Sequence, residues 1–238
     1  MRVKAITFDF WNTLFIHPEG ERKKLQELRK RFIIEATNVE RERISTVFQE
    51  VSLVFDKILR QAHQSFTTED FVSEILKRLR VPLPRGKLAR VVKSIEEALL
   101  QFPPLPVEHL HSTIQNLSKN YKLGIVSNTG LSPGRVLREV IKKEGLLKYF
   151  KSFSFSNETG VVKPNPEAFQ KVLRELGVKP EDAVHIGDLE RTDIEGAKKI
   201  GMKTILFNKD KGETRADFII DSFDKLPEIL KRMNEAIV

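Results

Sequence analysis

The stretch "AITFDFWNTL", residues 5–14, sets an apolar run against an aspartate, an aromatic pair and an Asn-Thr. Residues 3–8, "VKAITF", predict a short buried strand, since a brief apolar run suits a strand covered on both faces. A carboxylate has no place inside such a strand, so Asp9 marks its end. In open parallel sheets, ligands bind beyond the carboxyl ends of the strands. Whether Asp9 sits at a functional edge then depends on whether the rest of the chain builds that sheet.

Downstream, helical and strand patterns alternate. A helix is expected over 107–119, the strand "YKLGIVSN" at 121–128, a helix near 133–145 and "SFSFS" at 152–156. A helix near 166–177 leads to "AVHIGD" at 183–188, and a helix over 192–200 leads to "KTILF" at 203–207. "DFIID" at 217–221 then precedes a last helix from about residue 224. This alternation predicts an α/β fold, with a Rossmann-like parallel sheet core flanked by helices. Residues 18–102 differ: "KKLQELRKRFIIEA", "ERISTVFQEVSLVFDKILRQAH", "TTEDFVSEILKRLR" and "RGKLARVVKSIEEALLQF" all carry helical apolar spacing. Thr67 or Thr68 with Glu69 and Asp70 predicts a helix start, "VPLP" at 81–84 a stop, and "PPLP" at 103–106 a stiff boundary. The expected organisation is an α/β core of residues 1–17 and 103–238 with an all-helical insertion over 18–102. An insertion leaving directly after the first strand would overhang the ligand edge, where lids exclude water and select substrates. The phenylalanines of "VFQEVSLVF" are expected to pack that insertion.

Composition excludes several chemistries. The 238 residues contain no cysteine, which rules out disulfides, thiolate metal sites and cysteine nucleophiles. Apolar residues make up 40% and charged residues 31%, a soluble profile. The N-terminus lacks a signal-peptide apolar region and no run reaches membrane-spanning length, so a cytoplasmic protein without a membrane partner is expected. The net charge of +8 raises a nucleic-acid reading. Its densest stretch, "ERKKLQELRKRF" at 21–32, intersperses Glu21 and Glu27 and keeps Leu25, Leu28 and Phe32 at helical spacing. A solvated helix face is expected there, with no nucleic-acid partner.

Four features fall at the predicted ends of four strands: Asp9 with Thr13, Ser127 with Asn128, Lys163 in "GVVKPNP", and Asp188 with Asp193 in "GDLERTD". Singly, each is ordinary turn or cap chemistry. In a parallel sheet they share one edge, where three carboxylates would repel unless a cation sat among them. A hard oxygen-loving cation such as Mg²⁺ suits such a group. His185, inside the strand "AVHIGD", is expected to be a packed or hydrogen-bonded core histidine.

In order and spacing, "TFDFWNTL", "GIVSNTG", "VVKPNPEAF" and "HIGDLERTDIEGAKKIGM" resemble motifs I to IV of the haloacid dehalogenase-like (HAD) hydrolases, along the whole chain. The helical insertion resembles that family's α-helical cap, and "ADFIIDSFDKLPEIL" its usual C-terminal end. The resemblance implies a Mg²⁺-dependent phosphatase acting on a small phosphorylated substrate, as a monomer or homodimer. Asp9 would be the nucleophile that forms an aspartyl-phosphate. Mg²⁺ would be held by Asp9, the Trp11 backbone carbonyl and Asp188, with Asp193 completing or orienting the shell. Lys163, Ser127 and the Asn128 amide would bind the phosphoryl group, and Thr13 would hold the motif I loop.

Position 11 departs from the pattern. Most HAD phosphatases carry a second aspartate there as the acid/base, and Trp11 cannot transfer a proton at neutral pH. Two alternatives therefore stand beside the phosphatase. A 2-haloacid dehalogenase needs no leaving-group proton and works without metal, which leaves Asp188 and Asp193 unexplained. A regulatory or binding protein could keep the fold with little turnover.

Overall fold

A computed structural model describes residues 2–207 and 213–235. Residues 1, 208–212 and 236–238, assigned by the sequence to the α/β part, lie outside the described residues. In chain order the elements begin with β1 (Ala5–Phe8) and β2 (Phe15–Ile16), then α1 (Glu19–Thr37), α2 (Arg41–Arg60), α3 (Thr68–Leu79) and α4 (Arg85–Glu97). There follow β3 (Leu105–Pro106), α5 (Leu110–Leu117), β4 (Lys122–Ser127), α6 (Gly134–Lys143), β5 (Phe150–Phe155), α7 (Ser156–Thr159) and α8 (Pro166–Leu176). The chain continues through β6 (Ala183–Gly187), α9 (Glu195–Lys198), β7 (Lys203–Phe207), β8 (Phe218–Ile220) and α10 (Leu226–Glu235).

Six of the strands form one parallel sheet in the order β5-β4-β1-β6-β7-β8. Every residue of β1 is buried, which is why its sequence is an unbroken apolar run around one threonine. On one face Leu110, Ile114, Leu137 and Leu230 pack against the sheet, and on the other Phe169, Val172 and Ala197. Register then places the site. Phe8 lies opposite Ile125 on one side and Ile186 on the other. Asp9 extends the ladder by one step, its amide donating to the Ile186 carbonyl at 2.9 Å. The next residues of β4 and β6 reach the same edge, bringing Ser127 and Asp188 beside it.

Helices α1 to α4 occupy the chain between β2 and β3 and bury Ile33, Phe48, Val51, Phe55, Phe71 and Ile75 among themselves. The phenylalanines of "VFQEVSLVF" pack this cluster, as expected. Helix α3 starts where the sequence predicts: Thr67 accepts from the Asp70 amide and Asp70 accepts from the Thr67 amide, a reciprocal cap. The stretch "PPLP", read only as a boundary, contributes Leu105–Pro106 to an antiparallel pair with Phe15–Ile16. The two crossings between the helices and the sheet region are thereby tied to each other. The helix expected over 107–119 begins at Leu110, after His109 in a left-handed conformation (φ 62°). The helix expected over 192–200 is a wide π-helical turn at Glu190–Ile194 running into α9.

One sequence expectation fails. The basic stretch 21–32 is not simply a solvated face. Lys23, Lys24, Lys30 and Arg31 pair with Glu19, Glu21, Glu27 and Glu35 at the surface, but Arg29 is buried, with 4% of its surface exposed. Its position on α1 turns it inward beside Leu25 and Ile33, a placement that the local alternation of charge does not reveal.

Candidate active site

All four strand-end features meet at the carboxyl edge of the sheet. Asp9, Asp188 and Asp193 each offer one carboxylate oxygen to a group whose members lie within 4.8 Å of one another. The ammonium of Lys163 bridges two of them, at 2.5 Å from Asp9 Oδ1 and 2.5 Å from Asp193 Oδ1. Lys163 is held there by its backbone. The Asn128 side chain accepts from the Lys163 amide at 2.8 Å and donates to the Lys163 carbonyl at 3.2 Å, tying the loop after α7 to the end of β4. Ser127 is buried beside it, with 1% exposed.

Asp193 is fixed from several sides. Its Oδ1 accepts from Lys163 and contacts His185 Nε2 at 3.1 Å, while its Oδ2 accepts from the Leu189 amide at 3.1 Å. His185 is in turn joined through Nδ1 to Thr7 Oγ1 at 2.8 Å. The expected buried, hydrogen-bonded histidine is therefore present, and it also holds a carboxylate of the site. Asp193 packs so closely on β6 that a Cβ at Gly187 would stand 2.3 Å from the Asp193 carboxyl carbon. Only the absence of a side chain at position 187 permits this approach.

The electrostatics divide the three carboxylates. Burial, joined by repulsion from Asp193, pushes Asp9 up to about 6 against the pull of Lys163. Burial and the nearby Asp9 and Asp193 push Asp188 up to about 7. Burial also works against Asp193, but Lys163 and His185 outweigh it and hold that carboxyl well below the ordinary range. Lys163 itself is desolvated, and its two carboxylates more than restore its charge. Two of the three acids thus carry charge that the protein compensates poorly. An oxygen-only set with uncompensated negative charge fits a hard divalent cation.

Trp11 and Asn12 follow Asp9 in a tight loop in which Asn12 has φ 56° and donates its amide to the Phe15 carbonyl at 2.7 Å. The Trp11 ring packs edge-on against Phe10 at 4.8 Å and faces the cleft. Asn12 Nδ2 lies 3.4 Å from Asp188 Oδ2. Thr13 is fully buried, and its hydroxyl has no hydrogen-bond partner among the described residues.

The acids open into a cleft of about 750 Å³. One wall carries Asp9, Trp11, Asn128, Lys163 and Asp188. A further part of the lining comes from the helical insertion, chiefly Arg22, Leu25, Gln26 and Arg29, one face of α1 at helical spacing. Sequence reasoning did not find this face, because the same residues read as an ordinary amphipathic stripe.

A fold, a strand-edge acid cluster and a bridging lysine of this kind define a hydrolase of the haloacid dehalogenase class. Residues 6–207 match the haloacid dehalogenase-like hydrolase family, and the chain belongs to it. It is 31% identical to a glyceraldehyde 3-phosphate phosphatase of Methanopyrus kandleri over 245 residues, covering 98% of each chain. A crystal structure of a HAD phosphatase from Thermococcus onnurineus superposes with a TM-score of 0.67 at 25% identity, covering 96% of this chain and 98% of that one. A 2-haloacid dehalogenase from Pseudomonas syringae superposes with a TM-score of 0.72 at 23% identity, covering 97% and 99%, a likeness of fold.

Proposed function

We propose that the chain is a Mg²⁺-dependent phosphatase of small phosphorylated metabolites that works through an aspartyl-phosphate on Asp9. The observation that carries this reading is the convergence of Asp9, Asp188 and Asp193 with Lys163 seated between two of them. A dehalogenase has no use for two further carboxylates facing an anionic substrate. Asp9, Asp188 and the Trp11 backbone carbonyl would hold the metal. Both oxygens of Asp193 already accept hydrogen bonds, which favours an orienting role for it over direct ligation. When bound, Mg²⁺ supplies positive charge beside the transferred phosphoryl oxygens. Residues 18–102 act as the cap that closes the cleft over the core of residues 1–17 and 103–238.

An Asp9 oxygen attacks phosphorus while the bond from phosphorus to the substrate's leaving oxygen breaks. That oxygen leaves with the electron pair and takes a proton from water in the cleft, since Trp11 has none to give. Water then attacks phosphorus, the bond to Asp9 breaks, and phosphate departs as the carboxylate is regenerated. Lys163 neutralises Asp9 and the incoming phosphoryl group. Ser127 and the Asn128 amide donate to its oxygens.

The test is phosphate release from a panel headed by glyceraldehyde 3-phosphate, beside halide release from 2-chloropropionate, each with and without EDTA. The expected result is phosphate release that chelation abolishes and that Asp9→Asn removes. Halide release insensitive to EDTA would favour the dehalogenase and sink this reading. Trp11→Asp, by restoring a proton donor, should raise hydrolysis of alkyl phosphates by about 10²-fold and of p-nitrophenyl phosphate far less. No change in a folded variant would mean that leaving-group protonation does not limit the rate.

A further inference from the structure

Arg29 is the unexplained charge of the cleft. It is buried, and no carboxylate pairs with it among the described residues. Its Nε donates to the Ile95 carbonyl at 3.2 Å, and Nη2 to the Leu131 carbonyl at 3.2 Å and the Ser132 hydroxyl at 2.8 Å. Nη1 has no hydrogen-bond partner among the described residues. Burial alone pushes the guanidinium down to about 9, which still leaves it charged at neutral pH. Two polar atoms of residues lining the cleft are buried and unpartnered: Gln26 Oε1, one helical turn before Arg29, and His17 Nε2. Arg22 completes the stripe at the mouth of the cleft, exposed and without an ion-pair partner among the described residues.

A desolvated guanidinium lining a cleft costs free energy until an anion meets it, and with Nε and Nη2 engaged it is Nη1 that can donate to a carboxylate or phosphate oxygen. Lys163, which lines the same cleft, already has Asp9 and Asp193 as counter-charges, so Arg29 is the buried cation there that still lacks an anion. We propose that the substrate carries a second anionic group, a carboxylate or a second phosphate, which Arg29 and Arg22 bind on the α1 wall while Gln26 accepts a hydrogen bond from a neighbouring hydroxyl. This rests on the phosphatase reading for the role of the first phosphate, and the binding arm below does not.

Three matched three-carbon probes separate the sources: glycerol 3-phosphate, with no second anion; 3-phosphoglycerate, with a carboxylate; and 1,3-propanediol bisphosphate, with a second phosphate. The wild type should favour one of the latter two over glycerol 3-phosphate by at least about tenfold in kcat/KM, mainly through KM. In Arg29→Gln, and less in the exposed Arg22→Gln, that ratio should fall toward one. A ratio near one in the wild type overturns the inference, and so does a uniform loss on all three probes in both variants. A uniform loss would mark Arg29 as a strut between α1 and the loop after β4. If no probe releases phosphate, the phosphatase reading fails, and calorimetric binding of the same probes to the wild type with Mg²⁺ still decides. Tighter binding of a two-anion probe that Arg22→Gln weakens upholds the second-anion site, and equal binding of all three rejects it.

Discussion

Two buried cations line the same cleft, and they are kept in opposite ways. Lys163 sits between two carboxylates at 2.5 Å each, in a loop pinned by Asn128. Arg29 sits among neutral oxygens of Ile95 in α4 and of Leu131 and Ser132 in the loop after β4. The first is complete within the chain, while the second lacks a counter-charge. A compensated cation belongs to the fixed machinery that any substrate of this site would meet. An uncompensated one is suited to reading what varies from substrate to substrate. The division follows the architecture, since Lys163 hangs from the sheet edge and Arg29 from the inserted helices.

Replacing each cation by methionine sharpens the contrast. Lys163→Met leaves Asp9 and Asp193 buried without their shared partner, and breaking such a group costs about 3–5 kcal/mol. Arg29→Met removes a desolvated charge together with three hydrogen bonds to neutral acceptors, so a loss of about 1–3 kcal/mol is expected. Urea denaturation of the metal-free proteins measures both. Added Mg²⁺ should recover part of the Lys163→Met loss, because a cation returns among the same carboxylates, and none of the Arg29→Met loss. An equal response of the two variants to Mg²⁺ would erase the distinction.

The same contrast explains what is legible in the sequence. Asp9, Ser127, Lys163, Asp188 and Asp193 stand out there because parallel register forces consecutive strand ends onto one edge. An odd polar residue at the end of an apolar run therefore carries long-range information. The insertion has no such rule. Its helices and the cap of α3 follow from periodicity and from Thr67 with Asp70. Which face of α1 turns to the cleft depends on how whole helices dock, and no local spacing reports that. Arg29 is hidden among surface pairs with the same i, i+3 and i, i+4 spacing. His185 is legible as a core histidine, but its hold on Asp193 depends on the wide turn at Glu190–Ile194, where the sequence predicts a regular helix. The β2–β3 ribbon escapes because two residues per strand leave no alternation to detect.

The smallest effect concerns protons at the compensated wall. Asp9 and Asp188 are raised from 3.8 to about 6 and about 7, so the folded metal-free protein holds their protons more tightly than the unfolded chain does. Their contribution to stability is fully present below about pH 4 and is lost as pH rises through 6 and 7. The raw melting temperature will not isolate this, because His185 is shifted downward by burial and its contribution grows with pH over part of the same window. Asp193, held low, titrates below the window in both states and adds no slope there. The difference in Tm with and without Mg²⁺ removes the histidine background. A cation among Asp9 and Asp188 must displace their protons at pH 5 and finds most of them gone at pH 8. The Mg²⁺-induced rise in Tm should accordingly be small at pH 5 and largest near pH 8, with proton release per ion bound largest near pH 5 and falling as pH rises through 6 and 7. A rise independent of pH would mean that the ion meets carboxylates already ionised, and would remove burial as the source of their poor compensation. In Arg29→Met the same pH dependence should persist unchanged, since Arg29 is not among the groups that shift Asp9 and Asp188.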